Sequence, residues 1–328
     1  MNSDPKNPLK VFFYEAFAEE EEALRSILGT SIACEYSSQT IQELHHEKPP
    51  ARLISIRTQS KIPVKWSEHL DGILSRSTGY DHLLAYQSRI KRSLPLGFLD
   101  EYASRAVAEQ AILLALALIR KLPMQMKSFE TFDRDGLTGS ECPRRRLLVV
   151  GVGRIGSEIY RIADSLGFAV KGVDLIRDKP GVEYVSKDEG MAWADVIVCS
   201  MNLTEQNKGY FRYNLLTNAR PGVVFVNIAR GEHSPIRDLI QLLGDGHLGG
   251  VGLDVYEDEG TLGAALRNPG SAPSEAVQQL KKLAAFPNVI LTPHNAFNTV
   301  EAVKRKAQMS VRQIRHFLEN KDFIWKLS

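Results

Sequence analysis

Short apolar runs alternate along this chain with longer segments of mixed, helix-like period. Leu9 to Tyr14 reads as a strand, and a charged helix follows through Leu28. Leu53 to Ser55 and Gly72 to Ser75 are further apolar runs that lead into turn-forming residues. Residues 104 to 121 carry a long helical pattern stopped by Lys121-Leu122-Pro123, and the polar stretch Lys127 to Arg146 reads as a loop. A second series then begins: Leu147 to Val150, Val170 to Val173, Val196 to Cys199, Val223 to Asn227, Gly250 to Val255 and Val289 to Leu291. Their near-continuous Val, Ile and Leu content is what strands covered by helices on both faces require. The alternation predicts an α/β chain built on parallel sheets.

Composition changes this picture little. At 328 residues the chain is too long for one small core, so two domains are expected. Lys and Arg number 41 against 39 Asp and Glu, a near-balance that argues against binding nucleic acid by neutralising phosphates. Lys304, Arg305, Lys306, Arg312 and Arg315 read as the wet face of a C-terminal helix, and Glu19 to Glu22 as an exposed acidic first turn suited to the helix dipole. Cys34, Cys142 and Cys199 form no CxxC, so neither a disulfide framework nor a zinc site is expected; a reducing, cytoplasmic setting fits. The opening MNSDPKNPLK lacks an apolar signal core, and the longest apolar run, Ala111 to Ile119, falls well short of the roughly 20 residues of a membrane span.

Chemistry enters at GVGRIG, 151 to 156, where a predicted strand runs into GxGxxG and then a helix stopped at Gly167. Gly151 would make the tight turn, Gly153 would let the backbone approach a pyrophosphate, and Gly156 would let helix and strand pack closely. Asp174 ends the next strand, 174 − 156 = 18 residues on, near the roughly 20 expected of a residue that accepts hydrogen bonds from a ribose diol. A carboxylate there repels a 2′-phosphate, so NAD is expected rather than NADP.

Three later strand ends carry charge: Arg230 in NIARG, the carboxylates of GLDVYEDE, and His294 in TPHNAF. Each alone is more often a surface ion pair or a structural histidine. Together at the edge of a parallel sheet they make a set suited to hydride transfer on a 2-oxo acid. The arginine holds a carboxylate bidentately, the histidine exchanges a proton with the carbonyl oxygen, and a carboxylate fixes the other imidazole nitrogen. The remaining histidines, His45, His46, His69, His233, His247 and His316, read as structural or solvated, while His82 follows a strand-end turn.

These motifs, with RSTGYDHL (76–83) and YASRAVAEQ (102–110), make the sequence resemble the NAD-dependent D-2-hydroxyacid dehydrogenase family, with the D-lactate dehydrogenase branch nearest. The resemblance covers nearly the whole chain. It implies a Rossmann-type nucleotide domain, 104–296, inserted in a flavodoxin-like substrate domain, 1–103 with 297–328, and a cleft between hinged domains. It implies Arg230, Glu259 and His294 as the catalytic set, with Glu257 as the alternative partner of the histidine. Arg154, Ile155, Ile228 and Ala229 would line the cofactor, and Asp254 would fix its nicotinamide carboxamide. Thr78, Gly79, Tyr102 and Phe297 would contact the substrate. A homodimer joined through the nucleotide domain is implied, and pyruvate-like reduction to the D-2-hydroxy acid is the expected reaction. Alternatives are hydroxypyruvate or glyoxylate reduction, phosphite oxidation, or a non-catalytic NAD sensor. The sequence departs from the family pattern at Gly260 and Asn202, where proline is usual, and in the Gly-, Pro- and Ala-rich segment 261 to 274.

Overall fold

The computed structural model describes residues 9–267 and 274–327. The expected lack of a signal core concerns mainly residues 1–8, and the middle of the 261–274 segment is 268–273; both lie outside the described residues. The chain divides into two compact units, Met1–Ala103 with Asn298–Ser328, and Ser104–Phe297. Phe297, expected to open the returning segment, instead closes the second unit. The residue before it, Ala296, is still bonded to the second unit through its backbone N–H.

The first unit holds β1 (Val11–Phe13), β2 (Cys34–Tyr36), β3 (Leu53–Ile56), β4 (Gly72–Ser75) and β5 (Leu96–Gly97), in the order β2-β1-β3-β4-β5, all parallel. The order reverses between β1 and β3, as in flavodoxin-like sheets. The short β2 and β5 escaped the periodicity because edge strands of two or three residues carry too little pattern. The C-terminal helix Val300–Asn320 completes this unit. A Cβ on Gly72 would lie 2.5 Å from the Phe317 ring, and one on Gly97 2.5 Å from Phe323, so glycine at both strands lets the returning segment dock directly on the sheet. The two phenylalanine rings stack at 4.6 Å.

The second unit holds β6 (Arg146–Val150), β7 (Ala169–Val173), β8 (Val196–Cys199), β9 (Val223–Asn227), β10 (Leu248–Leu253) and β11 (Val289–Leu291), in the order β11-β10-β9-β8-β6-β7, again all parallel. A single bridge from Gly172 to Tyr184 extends the edge beyond β7. The strand order reverses between β6 and β8, the place where doubly wound sheets open a ligand crevice. The expected stop at Pro123 is a stop and a start. Lys121 turns the chain in the left-handed region, φ +53°, and Pro123 sits in the first turn of a new helix, Leu122–Ser128, a position that needs no backbone N–H.

Two surface assignments are corrected. Glu20 and Lys306 are fully buried, not solvated. Glu20 faces inward from the helix Ala18–Leu28, Lys306 from Val300–Asn320, and Arg76 follows β4. The Glu20 carboxylate receives Arg76 Nε at 2.8 Å and Lys306 Nζ at 2.7 Å. Arg76 also donates to Ser55 Oγ and the Tyr14 carbonyl. Burial by itself would raise the Glu20 pKa, but the facing cations outweigh it and lower it to about 2. Burial lowers that of Lys306 to about 7, against the pull of Glu20. Charge count in the sequence misled here because ion pairing, not polarity, decides whether a charged residue enters a core. One carboxylate serves two buried cations, so Glu20→Gln should destabilise the protein by about 3–5 kcal/mol. Lys306→Met, which leaves the Arg76 pair intact, should change stability by about 1 kcal/mol or less in either direction. Urea unfolding of the two variants measures both.

Candidate active site

The glycine loop forms the tip of β6 and the start of the helix Arg154–Ser165. Gly151 has φ +93°, and a Cβ there would come within 2.7 Å of the Met201 amide nitrogen. A Cβ on Gly156 would overlap the Gly151 carbonyl oxygen at 2.0 Å, so this contact of helix and strand requires glycine. Gly153 is the helix N-cap. It offers no side chain to the first-turn amides, and a Cβ there would meet open space. An uncapped helix start beside free volume is what a dinucleotide pyrophosphate needs. Asp174 holds the loop from the neighbouring strand end: its carboxylate accepts the Val152 N–H at 2.6 Å and that of Ile176 at 3.0 Å. Arg154 and Ile155 open the helix, and Ile228 and Ala229 are buried just beyond β9.

Three adjacent strands deliver the charged residues. Asp254 N–H donates to the Asn227 carbonyl, and Thr292 N–H to that of Leu253, so the ends of β9, β10 and β11 lie in register. On β11 the chain turns sharply. His294 has φ +51°, a left-handed backbone rare for a residue with a Cβ, and its N–H reaches back to the Thr292 carbonyl at 3.0 Å. Such a conformation costs on the order of 1–3 kcal/mol and persists only where the surroundings enforce it.

Asp254 enforces it. Its carboxylate accepts Thr292 Oγ1 at 2.5 Å, the Asn295 N–H at 2.9 Å and the Ala296 N–H at 2.8 Å, which brackets His294 on both sides. Within the described structure the Asp254 side chain is fully buried and bonds the turn. Burial raises its pKa, against those three donors. Tyr256 adds a second brace, its hydroxyl donating to the Thr292 carbonyl at 2.8 Å.

The His294 ring meets Glu259. Nδ1 and Glu259 Oε2 are 2.5 Å apart, and Glu259 Oε1 accepts the Tyr256 N–H at 3.0 Å. An ionised Glu259 accepts only, so Nδ1 carries the proton and Nε2 is left to exchange one. The alternative, Glu257, is not on this ring. Glu259 opens a helix, Glu259–Arg267, that runs into the Gly-, Pro- and Ala-rich segment. Arg230 extends from the end of β9 with Nη1 donating to the Ala229 carbonyl, and the Asn227 amide group holds its own carbonyl at 2.9 Å. A Cβ on the next residue, Gly231, would lie 1.9 Å from the Tyr256 carbonyl carbon. That contact presses the arginine loop against the loop leading to Glu259.

Thr78, Gly79 and Tyr102 belong to the first unit. Thr78 Oγ1 donates to the Asp100 carbonyl, the Gly79 carbonyl accepts Ser77 Oγ, and the Tyr102 carbonyl accepts Arg305 Nε at 2.8 Å. His82 pairs with Ser75 there. Phe297 is buried at the end of the second unit. Sequence reasoning missed Thr292 and Tyr256 as supports of the turn. Their contributions are one hydroxyl each, and no spacing rule marks them.

Residues 112–296 match the family described as D-isomer specific 2-hydroxyacid dehydrogenase, NAD binding domain. The chain belongs to that family. The dehydrogenase is 33% identical over 224 residues to an aromatic 2-oxoacid reductase of Clostridium sporogenes, 66% of either chain. It is 31% identical over 251 residues, 73% of either chain, to a 2-hydroxyacid dehydrogenase homolog of Zymomonas mobilis. Among solved structures, a D-lactate dehydrogenase of Aquifex aeolicus complexed with NAD and lactic acid superposes with a TM-score of 0.85 at 25% identity, over 97% of this chain and 100% of the other. The glycine loop of the dehydrogenase therefore lies in the NAD-binding domain of an oxidoreductase family.

Asp254→Asn keeps the shape but turns an N–H toward backbone donors. It should lower kcat about 10²-fold by releasing the His294 turn, with little change in NADH affinity. Steady-state kinetics and NADH fluorescence titration would check this; a kcat near the wild-type value would refute the bracing role.

Proposed function

We propose that the dehydrogenase reduces a small, pyruvate-like 2-oxo acid to the D-2-hydroxy acid, reversibly, with NADH as cofactor. The observation that carries this reading is the 2.5 Å bond between His294 and Glu259 on the strand ends adjoining that of Arg230. NADH, when bound, supplies the hydride. Arg230 binds the substrate carboxylate through its guanidinium fork. Nε2 of protonated His294 gives its proton to the carbonyl oxygen as hydride reaches the carbon. Glu259 stabilises the imidazolium beforehand and fixes its tautomer. From the resemblance, Thr78, Gly79 and Tyr102 are proposed as the substrate-binding residues of the first unit, and Phe297 as one of the second. Asp174 receives the ribose hydroxyls, and Arg154, Ile155, Ile228 and Ala229 line the remaining cofactor surface.

A second reading has a bulkier aromatic 2-oxo acid as substrate, favoured by the likeness to the clostridial reductase. Rates on pyruvate, hydroxypyruvate, glyoxylate, 2-oxoisocaproate and phenylpyruvate decide between them: the first reading requires the highest kcat/KM on pyruvate. NADH binding without turnover on any of the five would point to a sensor instead. His294→Ala should lower kcat about 10²–10⁴-fold while NADH still binds. Arg230→Ala should chiefly raise KM for the 2-oxo acid.

We also propose that the dehydrogenase is a homodimer joined through its second unit. Leu113, Leu122, Met126, Phe129 and Phe132 are exposed on the helices Ser104–Ile119 and Leu122–Ser128 and the turn that follows. An apolar patch of this kind fits a self-complementary contact. A double Met126→Glu, Phe129→Glu variant should sediment as a monomer where the wild type sediments as a dimer. Among the described residues no helix is long and apolar enough to cross a membrane. We place the protein in the cytoplasm, where its three free cysteines would stay reduced.

A further inference from the structure

His233 is fully buried in the second unit, three residues beyond Arg230, at a place the proposed reaction leaves idle. Its ring lies between two carbonyl oxygens of the loop that follows β8. Nδ1 is 3.2 Å from the Asn207 oxygen and Nε2 is 3.3 Å from the Met201 oxygen. These are the two ends of the segment Met201–Asn207. The segment is braced internally through Asn207, whose amide group donates to the Asn202 carbonyl at 2.7 Å and accepts the Thr204 N–H at 2.8 Å. Holding its two end carbonyls therefore holds the segment as a piece.

Both sides of the imidazole lead to working parts. Met201 abuts Gly151 of the glycine loop so closely that a Cβ on Gly151 would sit 2.7 Å from the Met201 nitrogen, and Ser200 Oγ donates to the Gly151 carbonyl at 2.7 Å. On the other side, the His233 N–H donates to the Arg230 carbonyl at 3.2 Å. The backbone around it is paired as well: Gly209 N–H donates to the Glu232 carbonyl and Phe211 N–H to that of His233.

We propose that His233 is a positioning residue that fastens the cofactor-side loop Met201–Asn207 to the loop carrying Arg230, by N–H donation from its ring to one or the other of the two end carbonyls. It rests on the reading of the Gly151 loop as the dinucleotide site. A neutral imidazole has one N–H and serves one carbonyl at a time; only the doubly protonated ring serves both. Burial, the largest influence, works against the second proton and lowers the His233 pKa. Both carbonyls favour that proton, Arg230 opposes it and Glu232 favours it. A side chain with two donors and no titration should replace it, whereas one of the same length without donors should not.

The test is a set of three variants read by NADH affinity. His233→Gln carries an NH₂ group with two donors, His233→Met has similar length and none, and His233→Asn has the donors on a side chain too short to reach. Fluorescence titration should give a dissociation constant within about twofold of wild type for Gln. For Met and Asn it should be raised about fivefold to tenfold, the worth of one or two hydrogen bonds. At saturating NADH, KM for the 2-oxo acid should move less than the NADH constant does. The idea is overturned if Gln binds NADH as weakly as Met and Asn, or if all three match wild type while only thermal stability falls. If the Met protein does not fold, the Gln and Asn pair still decides. NADH binding is independent of which 2-oxo acid is reduced, so a failed substrate assignment leaves this result readable, and wild-type binding with no turnover separates the two failures.

Discussion

The carboxylate of Asp254 lies out of reach of water, and a buried carboxylate must find donors or lose its charge. It finds them in one hydroxyl and two backbone N–H groups spanning residues 292 to 296. That requirement shapes everything around His294. The turn cannot relax to an ordinary backbone without stripping the carboxylate of its donors, and the left-handed φ is maintained by the cost of the alternative. With the turn fixed, the imidazole meets Glu259. Glu259 is itself held by the Tyr256 N–H, so the ring is set by a carboxylate that the backbone holds in turn. The pair of His294 and Glu259 is rigid because its supports are, which is how a site keeps its side chains in one geometry.

Much of this was legible beforehand. The second unit's strands are mostly four to six apolar residues, so their positions and their shared edge followed from pattern. GxGxxG was readable because a strand precedes it and a helix follows. Arg230 and His294 stood out as charge at the ends of apolar runs. Glu259 was chosen over Glu257 only by resemblance, since two glutamates two residues apart cannot be told apart without the turn at Asp258, φ +47°.

What was not legible depended on tertiary partners. Glu20 sits in a run of four glutamates and Lys306 among other basic residues, and nothing local marks the one of each that turns inward. The bonds of Asp254 to Thr292, Asn295 and Ala296 could not be read either, because a strand-end aspartate gives the same sequence signal whichever way it faces. His233 read as structural or solvated; its ring faces two carbonyl oxygens, which every residue has, so the sequence carries no trace of the contacts.

The first unit is assembled from two pieces of chain separated by the whole of the second. Phe317 and Phe323, which dock on β4 and β5, and Lys306, which faces Glu20, come from the last part of the chain. During synthesis the second unit is contiguous and complete once residue 297 has emerged. The first unit must wait, without the helix Val300–Asn320 and Phe323, until those residues are made. Such contacts are of very high sequence separation and form slowly. A ribosome that stalls or terminates after residue 297 would release a folded nucleotide-type domain tethered to an unfinished sheet, and that half-built sheet is where aggregation during biosynthesis would begin.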